Sequence, residues 1–300
     1  MVEERYFGAL VPGGPRVVAI GGGHGLARSL GAIRRYAGEI TAIVSVADDG
    51  GSSGRLREAL GIAAPGDVRR CLGALLSENS ALGRSLEFRF SGGELEGHAF
   101  GNLLIAALAA TTGDFVSGIE EVCRVLDTIG MVIPATTGPV VLKAEASGAE
   151  LEGQVRIQET KGVSSVSLVP PDAEVPKAAI EAIDRADQIV IGPGSLFTSV
   201  LAACAPAPIA HAISSARAMR TYVANLKEQI PETVGYDVGL CVKALISHGI
   251  VPDSVCIDVS HVAPGVLPKG TKVILGPLAG RNGLVHDESL LAGALLSSLG

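Results

Sequence analysis

Two short apolar runs, residues 16–20 and 40–46, bracket the glycine cluster Gly21-Gly22-Gly23-His24-Gly25 and a helical pattern over 26–36. Strand, tight loop, helix and strand, joined over about twenty residues, form the right-handed crossover that sets two strands side by side and parallel. Parallel strands need helices over both faces, so the chain is expected to be α/β: a Rossmann-like three-layer sandwich with a mostly parallel sheet. Such sheets bind ligands at the carboxyl ends of their strands. Both runs end there in residues unsuited to a core. The second opens the segment Val46-Ala47-Asp48-Asp49-Gly50-Gly51-Ser52-Ser53-Gly54-Arg55-Leu56-Arg57, read as a polar, glycine-rich loop presenting acid, hydroxyl and base.

Downstream, Pro65-Gly66 breaks the chain ahead of a helix capped by Asp67 and running to residue 76; further helical patterns cover 102–110 and 114–126. The rhythm then changes. Residues 140–145 and 151–157 read as the strands of a hairpin, with 163–169 a further strand, giving an antiparallel insertion over about 138–170. Alternation resumes with a helix over 177–186, a strand over 188–191 and a third glycine loop, Gly192-Pro193-Gly194-Ser195. Strands over 221–224, 254–258 and 272–275 and a terminal helix from Glu288 follow. No repeat or long linker divides the chain, so residues 1–300 are expected to form a single α/β domain carrying that insertion.

Composition narrows the function. Hydrophobic residues make up 47% of the chain and charged residues 18%, ample material for a core. No apolar run reaches the roughly 18 residues of a membrane span. The start, Met1-Val2-Glu3-Glu4, lacks the basic and apolar regions of a secretory signal, so a soluble, cytoplasmic protein without membrane contact is expected. A net charge of −7, 3% aromatics and no tryptophan argue against a nucleic-acid partner. Five scattered cysteines without C-x-x-C spacing read as buried thiols.

The first glycine loop lies between strand and helix, so Gly22, Gly23, His24 and Gly25 are expected to offer backbone N–H groups and a helix N-terminus to an anion. Leu26 stands where the dinucleotide fingerprint G-x-G-x-x-G has its third glycine, which counts against a standard dinucleotide site. Asp48 and Asp49 end the second strand, where carboxylates bind ribose hydroxyls or hold Mg²⁺ beside phosphates; plain Asp-Gly turn chemistry is the alternative. Ser52 and Ser53 add hydroxyls. Of two adjacent arginines, Arg69 rather than Arg70 is the expected ligand contact, and Asn102 with His98 is a candidate pocket wall. Gly194, Ser195 and Thr198 put backbone donors and hydroxyls at a third strand-to-helix junction. No P-loop lysine, no Ser/His/Asp order built on a G-x-S-x-G elbow and no H-E-x-x-H is read in the chain, which removes support for ATPase, ordinary hydrolase and zinc-protease readings.

Taken in order, G-G-G-H-G-L, V-A-D-D-G-G-S-S-G-R-L-R, P-G-D-V-R-R, G-H-A-F-G-N-L-L and G-P-G-S-L-F-T-S closely resemble the YvcK family, the gluconeogenesis factors, over residues 16–225. The chain is similar, more distantly, to CofD, the 2-phospho-L-lactate transferase of a flavin-like coenzyme's synthesis. The resemblance implies a cytoplasmic bacterial regulator that binds a UDP-sugar such as UDP-N-acetylglucosamine and requires no cofactor. It also implies a link from carbon supply in gluconeogenic growth to peptidoglycan precursors and cell shape, through a metabolic or cell-wall enzyme partner. Carried onto this chain, Gly22, Gly23, His24, Gly25, Asp48 and Asp49 line the site, and Asn102, Gly194, Ser195, Thr198 and Asn225 complete its rim. Two alternatives stay open: a CofD-like transferase of a phosphorus-containing group, with Mg²⁺ on Asp48 and Asp49, and an NAD-binding protein. A homodimer is also left open.

Overall fold

The computed structural model describes residues 10–76 and 80–300. Its strands are β1 (Arg16–Gly21), β2 (Glu39–Val44), β3 (Met131–Pro134), β4 (Val141–Ala146), β5 (Ala149–Glu152), β6 (Val163–Val169), β7 (Gln188–Ile191), β8 (Met219–Val223), β9 (Ser254–Ile257) and β10 (Lys272–Leu275). The helices before β7 are α1 (Gly23–Ile33), α2 (Gly51–Leu60), α3 (Gly66–Ala74), α4 (Ala81–Ser85), α5 (Phe100–Thr112), α6 (Phe115–Leu126), α7 (Gln154–Gln158) and α8 (Lys177–Arg185). After β7 a π-helical turn, Leu196–Leu201, runs into α9 (Ala202–Cys204), followed by α10 (Ala207–Ser215), α11 (Val238–Ser247) and α12 (Glu288–Leu299).

Seven strands form one sheet in the order β10-β9-β8-β7-β1-β2-β3, every neighbouring pair parallel. The expected α/β fold is therefore present. Its inner strands are continuous apolar runs because helices cover them on both faces: β7 and β9 are buried throughout, and β1 and β2 at all but their first residue. Leu26, Leu30 and Ile33 give α1 a buried stripe at helical spacing. Gln188, fully buried at the start of β7, accepts from the Tyr36 hydroxyl and donates to Leu295 O and Ser298 Oγ, which ties α12 to the sheet. The chain builds outward from β1 through β2 to β3, then returns to the other side of β1 with β7 and builds outward to β10. This reversal opens a crevice between the carboxyl ends of β1 and β7.

The insertion is a three-stranded antiparallel sheet, β5-β4-β6. Two local expectations are corrected. Residues 151–157 are not one strand: the chain turns at Gly153, at φ +97°, and residues 154–158 form α7. Nor is the segment after Asp49 a loop, since α2 begins at Gly51 with Ser52 and Ser53 buried. Hydrogen bonds to Ser52 from Asn102 and the Ala99 N–H make that burial tolerable. The four-residue edge strand β3 was too short, and too close to its own Pro134, for sequence periodicity to register. Among the described residues no single helix is long and apolar enough to cross a membrane. All five cysteines are free thiols, four of them buried.

Candidate ligand-binding cleft

The loops that leave β1 and β7 meet in the crevice. Gly25 packs so closely on the second loop that a Cβ there would collide with Pro193 O and lie 2.6 Å from the Pro193 carbonyl carbon and 2.8 Å from Gly194 N. A polar cavity of about 420 Å³ opens beside them, bounded by Gly22 to Gly25, Asp48, Asp67, Arg70, Ser195 and Thr198 and roofed by Gln154 and Gln158 of α7. A second cavity of about 560 Å³ adjoins it through His24, Gly25, Gly194, Ser195 and Gln229. Pro193, Leu226, Ile230, Leu284 and Val285 make this second space the more apolar.

Helix α1 starts at the glycine loop with no side-chain cap and no acid in its first turn, leaving a positive dipole end toward the cavity. The residue that meets it is one the sequence reading took only for a helix cap. Asp67, on α3, accepts a hydrogen bond from the Gly23 N–H and lies against Gly22. Its Oδ1 also takes Arg70 Nη1 at 2.6 Å. Burial raises its pKa, to about 6; Arg70 opposes that rise and the nearby Asp48 carboxylate adds to it.

The neighbouring aspartates divide. Asp48 lines the cavity and accepts from Gly50 N–H at 3.0 Å. Asp49 turns away and caps α7, taking Gln154 N–H at 2.9 Å and Val155 N–H at 3.0 Å. The carboxylate facing the cavity with Asp48 is thus Asp67, not Asp49. The arginines are exchanged as well. Arg69 is 1% exposed and paired with Glu87, whereas Arg70 lines the cavity. Helical spacing carries that signal, because residues 67 and 70 share a face.

Ser52 and Ser53 lie inside α2 and do not line the cavity; Ser52 bonds to His98 Nδ1 at 3.1 Å and takes Asn102 Nδ2 at 3.0 Å. Asn102 therefore braces α2 against α5 instead of walling the cleft. At the third junction the backbone donors are already engaged. Asn225 bridges Gly194 N and O, Gln229 takes the Leu196 N–H, and Glu232 takes those of Phe197 and Thr198 at 2.6 and 3.1 Å. Ser195 and Thr198 still border the cavity, and Asn225 borders its neighbour. Burial raises the Glu232 pKa, and the N–H donors oppose that rise. Glu232→Ala, which leaves buried N–H groups without a partner at the π-helical turn, is expected to cost about 2 kcal/mol in denaturant unfolding. Glu232→Gln, which keeps an acceptor, should cost less.

Comparisons with known proteins agree on the lineage. Residues 17–280 match the family described as 2-phospho-L-lactate transferase CofD. A relative from Thermoanaerobacterium thermosulfurigenes bearing the gluconeogenesis-factor name is 37% identical, over 95% of this chain and 97% of its own length. The gluconeogenesis factor of Halalkalibacterium halodurans is 43% identical over 79% of this chain and 76% of its own. Of a longer Nostoc relative, 44% identical, the chain spans 52%. A crystal structure of a UPF0052-family protein from Bacillus halodurans superposes with a TM-score of 0.86 at 36% identity, covering 93% of this chain and 98% of that one.

Proposed function

This chain belongs to the CofD family, with the gluconeogenesis factors among its relatives, and from that premise we propose that its cleft binds a nucleotide sugar of the UDP-N-acetylglucosamine type. The observation that carries the reading is the meeting of two glycine loops at the sheet's reversal point, beside two carboxylates that face one cavity. The α1 N-terminus attracts a diphosphate, but Asp67 already stands there and repels one. A divalent cation resolves that conflict. Asp48 and Asp67 are hard oxygen donors, and among the described residues no group of three or more His, Cys, Asp or Glu forms a closed metal cage. Two carboxylates, with phosphate and water completing the shell, suit Mg²⁺, which neutralises phosphate charge when bound. The adjoining, more apolar cavity then takes the nucleoside.

Binding alone serves a regulator, so no acid–base pair is required. The protein would report nucleotide-sugar supply to a metabolic or cell-wall enzyme partner, tying gluconeogenic growth to peptidoglycan precursors and cell shape. Calorimetric titration with UDP-N-acetylglucosamine, with and without Mg²⁺, tests this. Binding should strengthen with Mg²⁺, Asp48→Asn should remove the Mg²⁺ effect, and Asp49→Asn should retain it. No uptake of the UDP-sugar under either condition would overturn the reading. The carboxylate pair also favours a second reading, a transferase of a phosphorus-containing group. Phosphorus NMR distinguishes the two: Mg²⁺-dependent turnover, lost in Asp67→Asn, belongs only to an enzyme. NAD in the same titration tests the dinucleotide alternative.

A further inference from the structure

Beyond His24 and Arg70, which border the polar cavity on one side, lies a separate groove of about 510 Å³ between α1 and the α3–α4 corner. Arg28, Arg34, Arg70 and Arg84 line it, a concentration of cations in a chain of net charge −7. Arg34 is spent on the Ala74 and Leu76 carbonyls at 3.1 and 3.0 Å. Arg28 is paired with Glu288, and Arg70 and Arg84 are less committed. Arg70 holds Asp67 through Nη1 alone, and its buried Nε has no partner. Arg84 is exposed and makes no ion pair among the described residues. The two acids of the groove are already answered: Glu87 by buried Arg69, and Glu288 by Arg28 at 3.1 Å and Arg35 at 3.9 Å. After burial, Arg70 lowers the His24 pKa most, with Arg69 and Arg28 adding to it and Glu87 opposing them, so the charges of the groove are felt at the shared wall.

We propose that this groove is a second anion site, which takes a compact, multiply charged phosphate or carboxylate metabolite. Guanidinium forks match both groups in two-point hydrogen bonding, and a half-enclosed groove strengthens such bonds over those in open solvent. Arg70 joins the two sites. A cation on Asp67 competes with Arg70 for the same carboxylate and releases that guanidinium to the groove, so each site favours the other. This coupling rests on the nucleotide-sugar reading; the groove itself does not.

The test is calorimetry at about 0.15 M salt, where loose surface attraction is screened, with tripolyphosphate as the phosphate probe and citrate as the carboxylate probe. Wild type should bind at least one of them, and which one identifies the class. Arg84→Glu should weaken binding about tenfold or more, and Arg84→Lys should restore part of it. Arg217→Glu, a charge-matched change at an exposed site away from the groove, should leave it unchanged. Absence of binding by wild type, equal affinity in Arg84→Glu, or equal losses in both Glu variants would overturn the site. Saturation with UDP-sugar and Mg²⁺ should raise polyanion affinity; an unchanged value would overturn the coupling. Failure of the UDP-sugar to bind would remove the nucleotide reading while leaving the Arg84 comparison intact.

Discussion

Gly25→Ala is expected to destabilise the protein by about 3 kcal/mol, the upper end for overpacking, and to remove nucleotide binding with it. The added methyl meets backbone atoms of Pro193 and Gly194 rather than the yielding end of a side chain. Those atoms are held in place. Gly192 N–H bonds to Ile20 O, Ser29 Oγ donates to Gly192 O at 2.7 Å, and Asn225 grips both polar atoms of Gly194. Relief therefore requires the β1 and β7 loops to part, which breaks the crevice that the ligand would use. Gly73→Ala is the control: a Cβ at this position in α3 meets nothing within 4 Å, and alanine favours helix, so no loss is expected. Denaturant unfolding of both variants checks the contrast. Equal stability would mean that the two loops do not form one packed unit.

Asp67→Asn should stabilise the protein above pH 6 and have little effect near pH 4. The sign follows from the protons. The Asp67 carboxyl moves from its ordinary 3.8 up to about 6 on folding, so the folded chain holds a proton that the unfolded chain has released between those values. Stability contributed by this group is complete below about pH 4 and is lost as pH rises through 6, by about 3 kcal/mol in all. Asparagine mimics the protonated form and abolishes that loss. His286 works in the opposite sense. Buried at 6% exposure with its Nε2 unpartnered, it has its pKa lowered from 6.5 to about 4, mainly by burial. Its cost grows as pH falls from 6.5 toward 4 and is also about 3 kcal/mol. In the wild type the two slopes oppose each other and flatten the profile between pH 4 and 6. The Asp67→Asn variant should instead weaken steeply toward acid. Unfolding free energies at pH 4.5, 6 and 7.5 decide the matter; parallel profiles would refute the buried charge. Mg²⁺ with nucleotide should restore stability to wild type at pH 7.5 and do little for the variant.

That buried carboxylate was only half legible in the sequence. Its place at the head of a helix could be read, because Pro65-Gly66-Asp67 is a local start signal. Its contact with the first glycine loop could not, because that contact joins residues more than forty positions apart through the packing of α3 on α1. The same division runs through the rest of the cleft. Apolar runs ending in glycine loops announced β1, β7 and the parallel sheet, since a strand buried on both faces leaves a continuous signature. The antiparallel insertion was visible too, but its middle element was misread. Val155 and Ile157 look like strand residues, but the turn at Gly153 precedes them and Asp49, from position 49, accepts the N–H groups of residues 154 and 155 at the start of a helix.

By itself, then, the sequence determined the α/β architecture, the order of the glycine loops and the region in which a ligand would be met. These are consequences of local periodicity and backbone preference, which act over a few residues. The tertiary structure decided which polar groups face that region. Asp48 faces the cavity and Asp49 does not; Arg70 lines it and Arg69 is buried; the amides of the third loop bond to Asn225, Gln229 and Glu232 instead of awaiting a ligand. Neighbours in sequence point in different directions, and a buried N–H takes whichever acceptor the fold carries to it. Such assignments follow from distant partners, so they exist only once the chain has closed around the crevice.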